Sequence, residues 1–344
     1  MAREPRDYAL LVGVQHYPDY PRFNQLDGPI HDVDAVEAWL LDQATGGGLA
    51  RESCRALRSK AAPATPILDE VEDELQRIFD SARDGGGRRL YVYFSGHGLA
   101  SSVLGADLCL VRWSLERRNY ALSSEDYKRL TGEVGLFTEI VWLLDCCRTT
   151  KVQARGRPPT LQGARPGAHA GNTRFFTAFA TEYQSQAFEA ERADQGADDP
   201  LVGEVRGYFT RALLEALRGG AARREGGVTA SDLKDFLEFQ TPRLAEVDGR
   251  HQQPVIANEL AGGDHPAVFG LATRPQPTTT IEFGPERAGI IVLEGPLGEL
   301  QRADASSGPW HLPLQAGALH LLVEERSGDQ KPFRPQAEPG HVHF

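Results

Sequence analysis

The sequence predicts an α/β fold: a parallel sheet covered by helices on both faces, followed by a smaller β-rich module. Three observations carry this. The stretches Tyr8 to Val14, Arg89 to Phe94 and Ile140 to Leu144 are mainly apolar, of strand length and rich in branched and aromatic residues, as expected of strands buried on both faces. They alternate with segments of helical period, the order that gives parallel strands joined by crossover helices. Beyond Thr273 the pattern changes to short β-prone runs separated by turn residues.

Tyr8 to Val14 is the first strand, and Gln15 to Pro29 a Pro/Asn/Gly/Asp-rich loop long enough to carry function. Val33, Val36, Trp39 and Leu40 mark a helix over 32–41, and Cys54 to Leu57 a short strand. Thr65-Pro66 offers a cap and a proline at the first helical position, and Gly85-Gly86-Gly87 ends the helix whose apolar face runs from Ile67 to Ala82. After the strand Arg89 to Phe94, residues 107–113 suit a hairpin arm, and Ser123 to Asp126 a capped helix ending near Gly132. Thr150 to Asn172 is rich in Gly, Pro, Arg and Ala, and reads as a mobile loop. Arg174 to Thr181 is a further strand, 182–207 a long acidic loop, Tyr208 to Arg218 an amphipathic helix stopped by Gly219-Gly220, and Asp232 to Glu238 another helix. The domain boundaries that follow are 1–272 for the α/β domain, 273–280 for a linker and 281–344 for a small antiparallel β module.

Composition narrows the function. With 344 residues, 40% hydrophobic and 25% charged, the chain has ample material for a core and the profile of a soluble globular protein. A net charge of −11 argues against nucleic acid as the partner and is compatible with a basic peptide. The charged first residues lack the apolar core of a signal peptide, and no run is long enough to span a membrane. Cys54, Cys109, Cys146 and Cys147 are too few for a disulfide scaffold and are expected to be reduced, so a cytoplasmic location is expected. Arginine greatly outnumbers lysine, which points to a GC-rich genome.

The candidate chemistry lies where two strands stop. Ile140 to Leu144 runs into Asp145-Cys146-Cys147-Arg148, and Arg89 to Phe94 into Ser95-Gly96-His97-Gly98, with His97 fifty residues before Cys147. The carboxyl ends of parallel strands open into a crevice, so the two ends are expected to meet as a Cys-His dyad. Thiol attack on a carbonyl needs a thiolate, a base that returns its proton to the leaving amine, and donors for the oxyanion. His97 suits the base, the glycines beside it admit a substrate backbone, and the amides of Gly98 and Cys147 suit the oxyanion. On chemistry alone either cysteine qualifies as nucleophile.

From Tyr8 to about Leu271 the chain resembles the caspase, metacaspase and paracaspase group of cysteine peptidases, on the strength of YALLVGV, YFSGHG and LLDCCR, with weaker support from RFFTAFAT, YFTRALLEAL and VTASDLKDFL. The resemblance implies a caspase-like, mostly parallel six-stranded sheet sandwiched by helices, a cysteine endopeptidase without cofactor, and Cys147, two residues after the aspartate, as nucleophile. It also implies specificity. Metacaspases and paracaspases read a basic residue before the scissile bond (P1) with acids, and Asp32, Asp145 and Ser95 match positions lining that S1 pocket. Cleavage after Arg, then Lys, is therefore expected. The alternatives are a plain helix cap for Asp32 and a loop-orienting acid for Asp145.

Lys151, Arg155, Arg157 and Arg165 lie where caspases carry the linker cut on activation, so autocleavage there is one expectation and a solvated loop the other. The acidic run that type I metacaspases carry after the histidine is missing; solvated charge is expected at Glu189 to Asp199, and no metal requirement. The competing functions are an idle caspase-fold scaffold or sensor that binds a partner through the β module, and a zinc or redox site at Cys146, Cys147 and His97, for which the geometry is poor. By family analogy the setting is a bacterial stress, regulated-death or antiphage defence module, with a monomeric enzyme, a protein substrate and an operon-encoded partner or regulator at the β module.

Overall fold

Each apolar run forms a strand of one sheet. In chain order the elements are β1 (Asp7–Gly13), α1 (Gly28–Leu41), β2 (Cys54–Arg58), α2 (Leu68–Gly85), β3 (Arg89–Ser95), β4 (Gly98–Ser102), β5 (Gly105–Cys109), β6 (Ala121–Ser123), α3 (Ser124–Val134), β7 (Glu139–Asp145), β8 (Arg174–Phe179), β9 (Glu189–Glu191), β10 (Val205–Gly207), α4 (Tyr208–Glu215), α5 (Ala230–Val247) and β11 (Val255–Asn258). The C-terminal part adds β12 (Thr278–Glu282), β13 (Ile290–Gly295), β14 (Gly298–Asp304), β15 (Trp310–Pro313), β16 (His320–Glu324), β17 (Gln330–Phe333) and β18 (Gly340–His343). The structure, a computed structural model, describes all residues except 1, 22, 24, 151, 154, 162–165, 192–203, 223–226 and 262–266.

The main sheet has six strands in the order β11-β8-β7-β3-β1-β2, all parallel except the edge strand β11. Side chains of a strand alternate between faces, so parity assigns each residue to one of two cores. Leu10, Val12, Leu90, Val92, Phe94, Ile140, Trp142 and Leu144 pack beneath α2 and α3. Leu11, Tyr91, Tyr93, Val141 and Leu143 pack beneath α1, α4 and α5.

Several boundaries differ from the sequence reading. α1 begins at Gly28 rather than residue 32, with Pro29 in its first turn. α2 begins at Leu68, after the Thr65-Pro66 pair, because Glu70 reaches back to accept from the Ile67 N–H (2.8 Å) and the Thr65 hydroxyl (2.6 Å). α3 ends at a left-handed Gly135 rather than near Gly132. α5 runs past Glu238 to Val247 and carries Pro242 inside it, held by buried Phe236, Leu237, Gln240, Thr241 and Ala245. The expected hairpin arm pairs on both sides, as β5 between β4 and β6. The C-terminal module has a core of Ile281, Ile291, Leu293, Trp310 and Leu322. Its β12 starts at Thr278, inside the expected linker, and β12 pairs β18 in parallel, so the module is not wholly antiparallel.

At the sheet's amino end Arg89 and Glu139, paired in register, make a buried fork: Nε and Nη2 donate to Glu139 Oε2 at 2.8 and 2.6 Å, and Nη1 donates to the Tyr91 hydroxyl and the Val268 carbonyl, both at 2.9 Å. Removing one member would strand a buried charge. Arg89→Met is expected to lower unfolding free energy by about 3–5 kcal/mol, read from urea denaturation. A loss below about 1 kcal/mol would show that the fork adds little.

Candidate active site

The site forms where β3 and β7 end together. Their last residues, Ser95 and Asp145, are register partners on adjacent strands. The Gly96 N–H then donates to the Asp145 carbonyl at 3.2 Å. His97 and Cys147 each follow their partnered residue by two, so the sheet delivers both to one rim.

Parity separates the two cysteines. Cys146 falls on the α2 and α3 face, where it is 1% exposed and burial pushes its thiol well above the usual range. Cys147 remains half-exposed. Its Sγ lies 3.4 Å from both the N–H and the carbonyl oxygen of Ala187. Gly98 completes the junction: a Cβ there would stand 2.7 Å from both the Cys146 Sγ and the Cys147 carbonyl oxygen, so only glycine permits the approach.

His97 is half-buried against an aromatic wall from the 15–29 loop. Its N–H donates to the Tyr17 hydroxyl at 2.8 Å, its carbonyl accepts from Cys109 N at 3.0 Å, and its ring lies 4.2 Å from the Phe23 ring centroid. Phe23 in turn stacks on Trp113 at 4.6 Å and 5°. Arg148 is fully buried: its guanidinium donates to the carbonyls of Thr181 (3.3 Å), Ser102 (3.2 Å) and Val103 (2.5 Å), and lies over the Phe179 ring. It thus ties the cysteine turn to β4 and to the end of β8.

The three expected pocket residues come together on the α1 face. Ser95 (3% exposed) donates to Asp32 Oδ2 at 2.9 Å. Asp145 (6% exposed) accepts at Oδ2 from the Thr210 hydroxyl at 2.6 Å and the Thr210 N–H at 3.2 Å. Asp32 (1% exposed) is the fifth residue of α1, turned inward, and not its cap. Burial first, and Asp145 second, hold the Asp32 carboxyl well above the usual carboxylate range. Burial pushes Asp145 up to about 6, against the hydrogen bonds from Thr210. Two acids are therefore held together in a dry place with their negative charge poorly compensated.

Several neighbours of the cluster are not announced by the sequence. Thr210 links Asp145 to the Tyr93 hydroxyl (2.6 Å), and a Cβ at Gly207 would lie 2.1 Å from Asp145 Oδ2. Arg206 lies beside Asp32. The run Val205-Arg206-Gly207 directly before the α4 pattern was the available signal. Glu189, expected as solvated charge, instead accepts from the Asp27 and Gly28 N–H groups, both at 2.9 Å, at the α1 amino end; residues 192–199 of that acidic stretch lie outside the described residues.

The 150–172 loop, expected to be mobile, is anchored where it is described. Arg157 N donates to Ala121 O (2.7 Å), its carbonyl accepts from Ser123 N (3.1 Å), and Thr160 N donates to Glu72 at 2.7 Å. Arg155 is exposed, whereas Lys151 and Arg165 lie outside the described residues. Among the described residues no cluster of three or more His, Cys, Asp or Glu side chains is arranged to hold a metal, and no helix is long and apolar enough to cross a membrane.

This fold and this rim define an α/β protein of the caspase class. The caspase-domain family model matches residues 6–262, from the start of β1 past β11, and the chain belongs to that family of cysteine peptidases. A comparison with curated proteins finds no match.

The acid pair has a stability signature. An Asp145 carboxyl that titrates near 3.8 when unfolded and near 6 when folded keeps its proton longer in the native state, so native stability falls as pH rises from about 4 to 6. Asp145→Asn, which can still accept from Thr210, is expected to flatten that part of the profile and to gain on the order of 2–3 kcal/mol relative to wild type at pH 7.5. Parallel profiles for the two proteins across pH 4–7.5 would refute the assignment.

Proposed function

We propose that this protein is a cysteine endopeptidase that cleaves proteins after a basic P1 residue, Arg in preference to Lys. The observation that carries the specificity is the buried Asp32-Ser95-Asp145 cluster, in which Asp32 Oδ1 has no hydrogen-bond partner among the described residues. Buried polar atoms are seldom left unmatched, and a guanidinium brings a fork of donors and a full positive charge to such a place. A neutral P1 side chain would bring no positive charge to match the two buried acids.

In the reaction His97 takes the Cys147 thiol proton as sulfur bonds to the P1 carbonyl carbon. The oxyanion is met by the amides of Gly98 and Cys147. The C–N bond then breaks as the imidazolium returns its proton to the leaving amine, leaving a thioester. Water, deprotonated by His97, attacks the thioester, releases the acid and restores the thiol. The Phe23 and Tyr17 rings orient the imidazole, and the Ala187 backbone holds the sulfur.

An arginyl-amide fluorogenic substrate tests this. Cys147→Ala and His97→Ala should each lower kcat/KM by about a thousandfold or more, and Asp32→Asn by about a hundredfold. Equal turnover by wild type and Cys147→Ala would reject the mechanism. No turnover by folded wild type on any P1 residue of a peptide library would favour the idle scaffold.

In the described part of the loop Arg155 is the exposed arginine, with the following Gly156 N–H donating to Asp107, while both backbone groups of Arg157 are engaged. Intact-mass measurement is expected to show a cut after Arg155 in wild type and none in Cys147→Ala; an uncut wild type would exclude processing at this loop.

A further inference from the structure

The acid cluster has a cation beside it. β9 and β10 form a hairpin of three residue pairs whose Glu189 sits on the α1 amino end and whose Arg206 points inward, 3% exposed. Arg206 Nη1 donates to the His31 carbonyl at 2.5 Å and lies 3.9 Å from Asp32 Oδ1; Nη2 pairs with the Glu204 carboxylate.

We propose that Arg206 is a built-in stand-in for the P1 side chain: it occupies the acid pocket at rest and must swing aside before a basic P1 residue binds. The proposal rests on the basic-P1 reading of that pocket. Three observations favour a stand-in over a permanent structural ion pair. The contact with Asp32 is too long for a hydrogen bond and leaves Oδ1 without a close partner among the described residues, whereas a permanent buried pair persists by satisfying both partners. The contrast is in the same molecule, where Arg89 reaches Glu139 with two close bonds. The hairpin that carries Arg206 is three residues per strand, among the least stable kinds of sheet, so opening it is cheap beside any disturbance of the six-stranded sheet. Finally, Glu204 gives the displaced guanidinium a partner outside the pocket, so moving it does not strand its charge. The same stretch holds Ala187 against the Cys147 sulfur, so a hairpin shift is felt at the nucleophile too.

Benzamidine, a small planar cation, is the probe, measured by calorimetry at pH 8 on full-length Cys147→Ala so that cleavage plays no part. Arg206→Gln in that background is expected to bind benzamidine at least tenfold more tightly than the parent. In the parent, benzamidine should raise hydrogen exchange at the amides of 204–207. Equal or weaker binding by a folded Arg206→Gln, or saturation of the parent with unchanged exchange at 204–207, overturns the stand-in while leaving the basic-P1 reading intact. Should Arg206→Gln fail to fold, the exchange measurement on the parent decides alone. Benzamidine binding to neither protein, or wild-type cleavage after P1 aspartate that is lost in Arg206→Gln, takes down both, the latter because Arg206 would then be reading an acidic P1 itself.

Discussion

A strand shows each face only every second side chain, and the pairing of Ser95 with Asp145 fixes which face each residue of the site receives. Odd positions of β3 and β7 look toward α1 and α4, even positions toward α2 and α3. Ser95 and Asp145 therefore meet Asp32 and Thr210, and Cys146 goes down into the opposite core while Cys147 stays at the rim. A slip of one residue between the strands would send Asp145 under α2 and part it from Ser95. The apolar runs forbid that slip, because it would turn every core side chain over as well.

The two ends of the sheet treat buried charge in opposite ways. At the amino end Arg89 finds Glu139, a tyrosine hydroxyl and a carbonyl, and nearby Asp7 is bridged by Arg88. At the carboxyl end two acids face each other, and among the described residues one of their oxygens has no hydrogen-bond partner and Arg206 stands off at 3.9 Å. Stability alone does not account for the second arrangement, since burying like charges together is unfavourable. Burial lifts both carboxyls above the usual carboxylate range, so the pair is relieved by keeping a proton where the amino-end pair is relieved by a cation.

Strands, their order of type and the two strand ends were legible because each is written in a local pattern: an apolar run, then a polar stop. Asp32 and Asp145 were picked out through the family resemblance, and the structure brings them together with Ser95. Helix starts were less so, since prolines near an amino end mark a region and not a residue: Pro29 lies inside α1 while Pro66 precedes α2 by two residues. α5 runs through Pro242 with Gln240, Thr241 and Ala245 buried on either side of it, a packing that no local pattern announces. Arg206, Glu189, Thr210 and the Tyr17-Phe23-Trp113 wall were hidden for another reason. Their partners lie between about 60 and 175 residues away, and no local pattern announces such a pairing.

The C-terminal module bears on the same pocket through one helix. α4 begins at the pocket, where Thr210 holds Asp145, and ends in a π turn at Gly219 that leaves carbonyls without helical partners. The module supplies those partners: the buried Gln315 amide donates to the Gly219 and Ala222 carbonyls at 2.9 and 3.2 Å. Arg334 of the module and Arg274 before it both reach Glu215, and Arg243 of α5 reaches Glu294 at 2.5 Å. A helix two turns long has little stability of its own and is held by its buried face, Phe209, Ala212, Leu213 and Leu214, together with these contacts at its ends. α4 is thus joined at its start to Asp145 and, beyond its end, to the module.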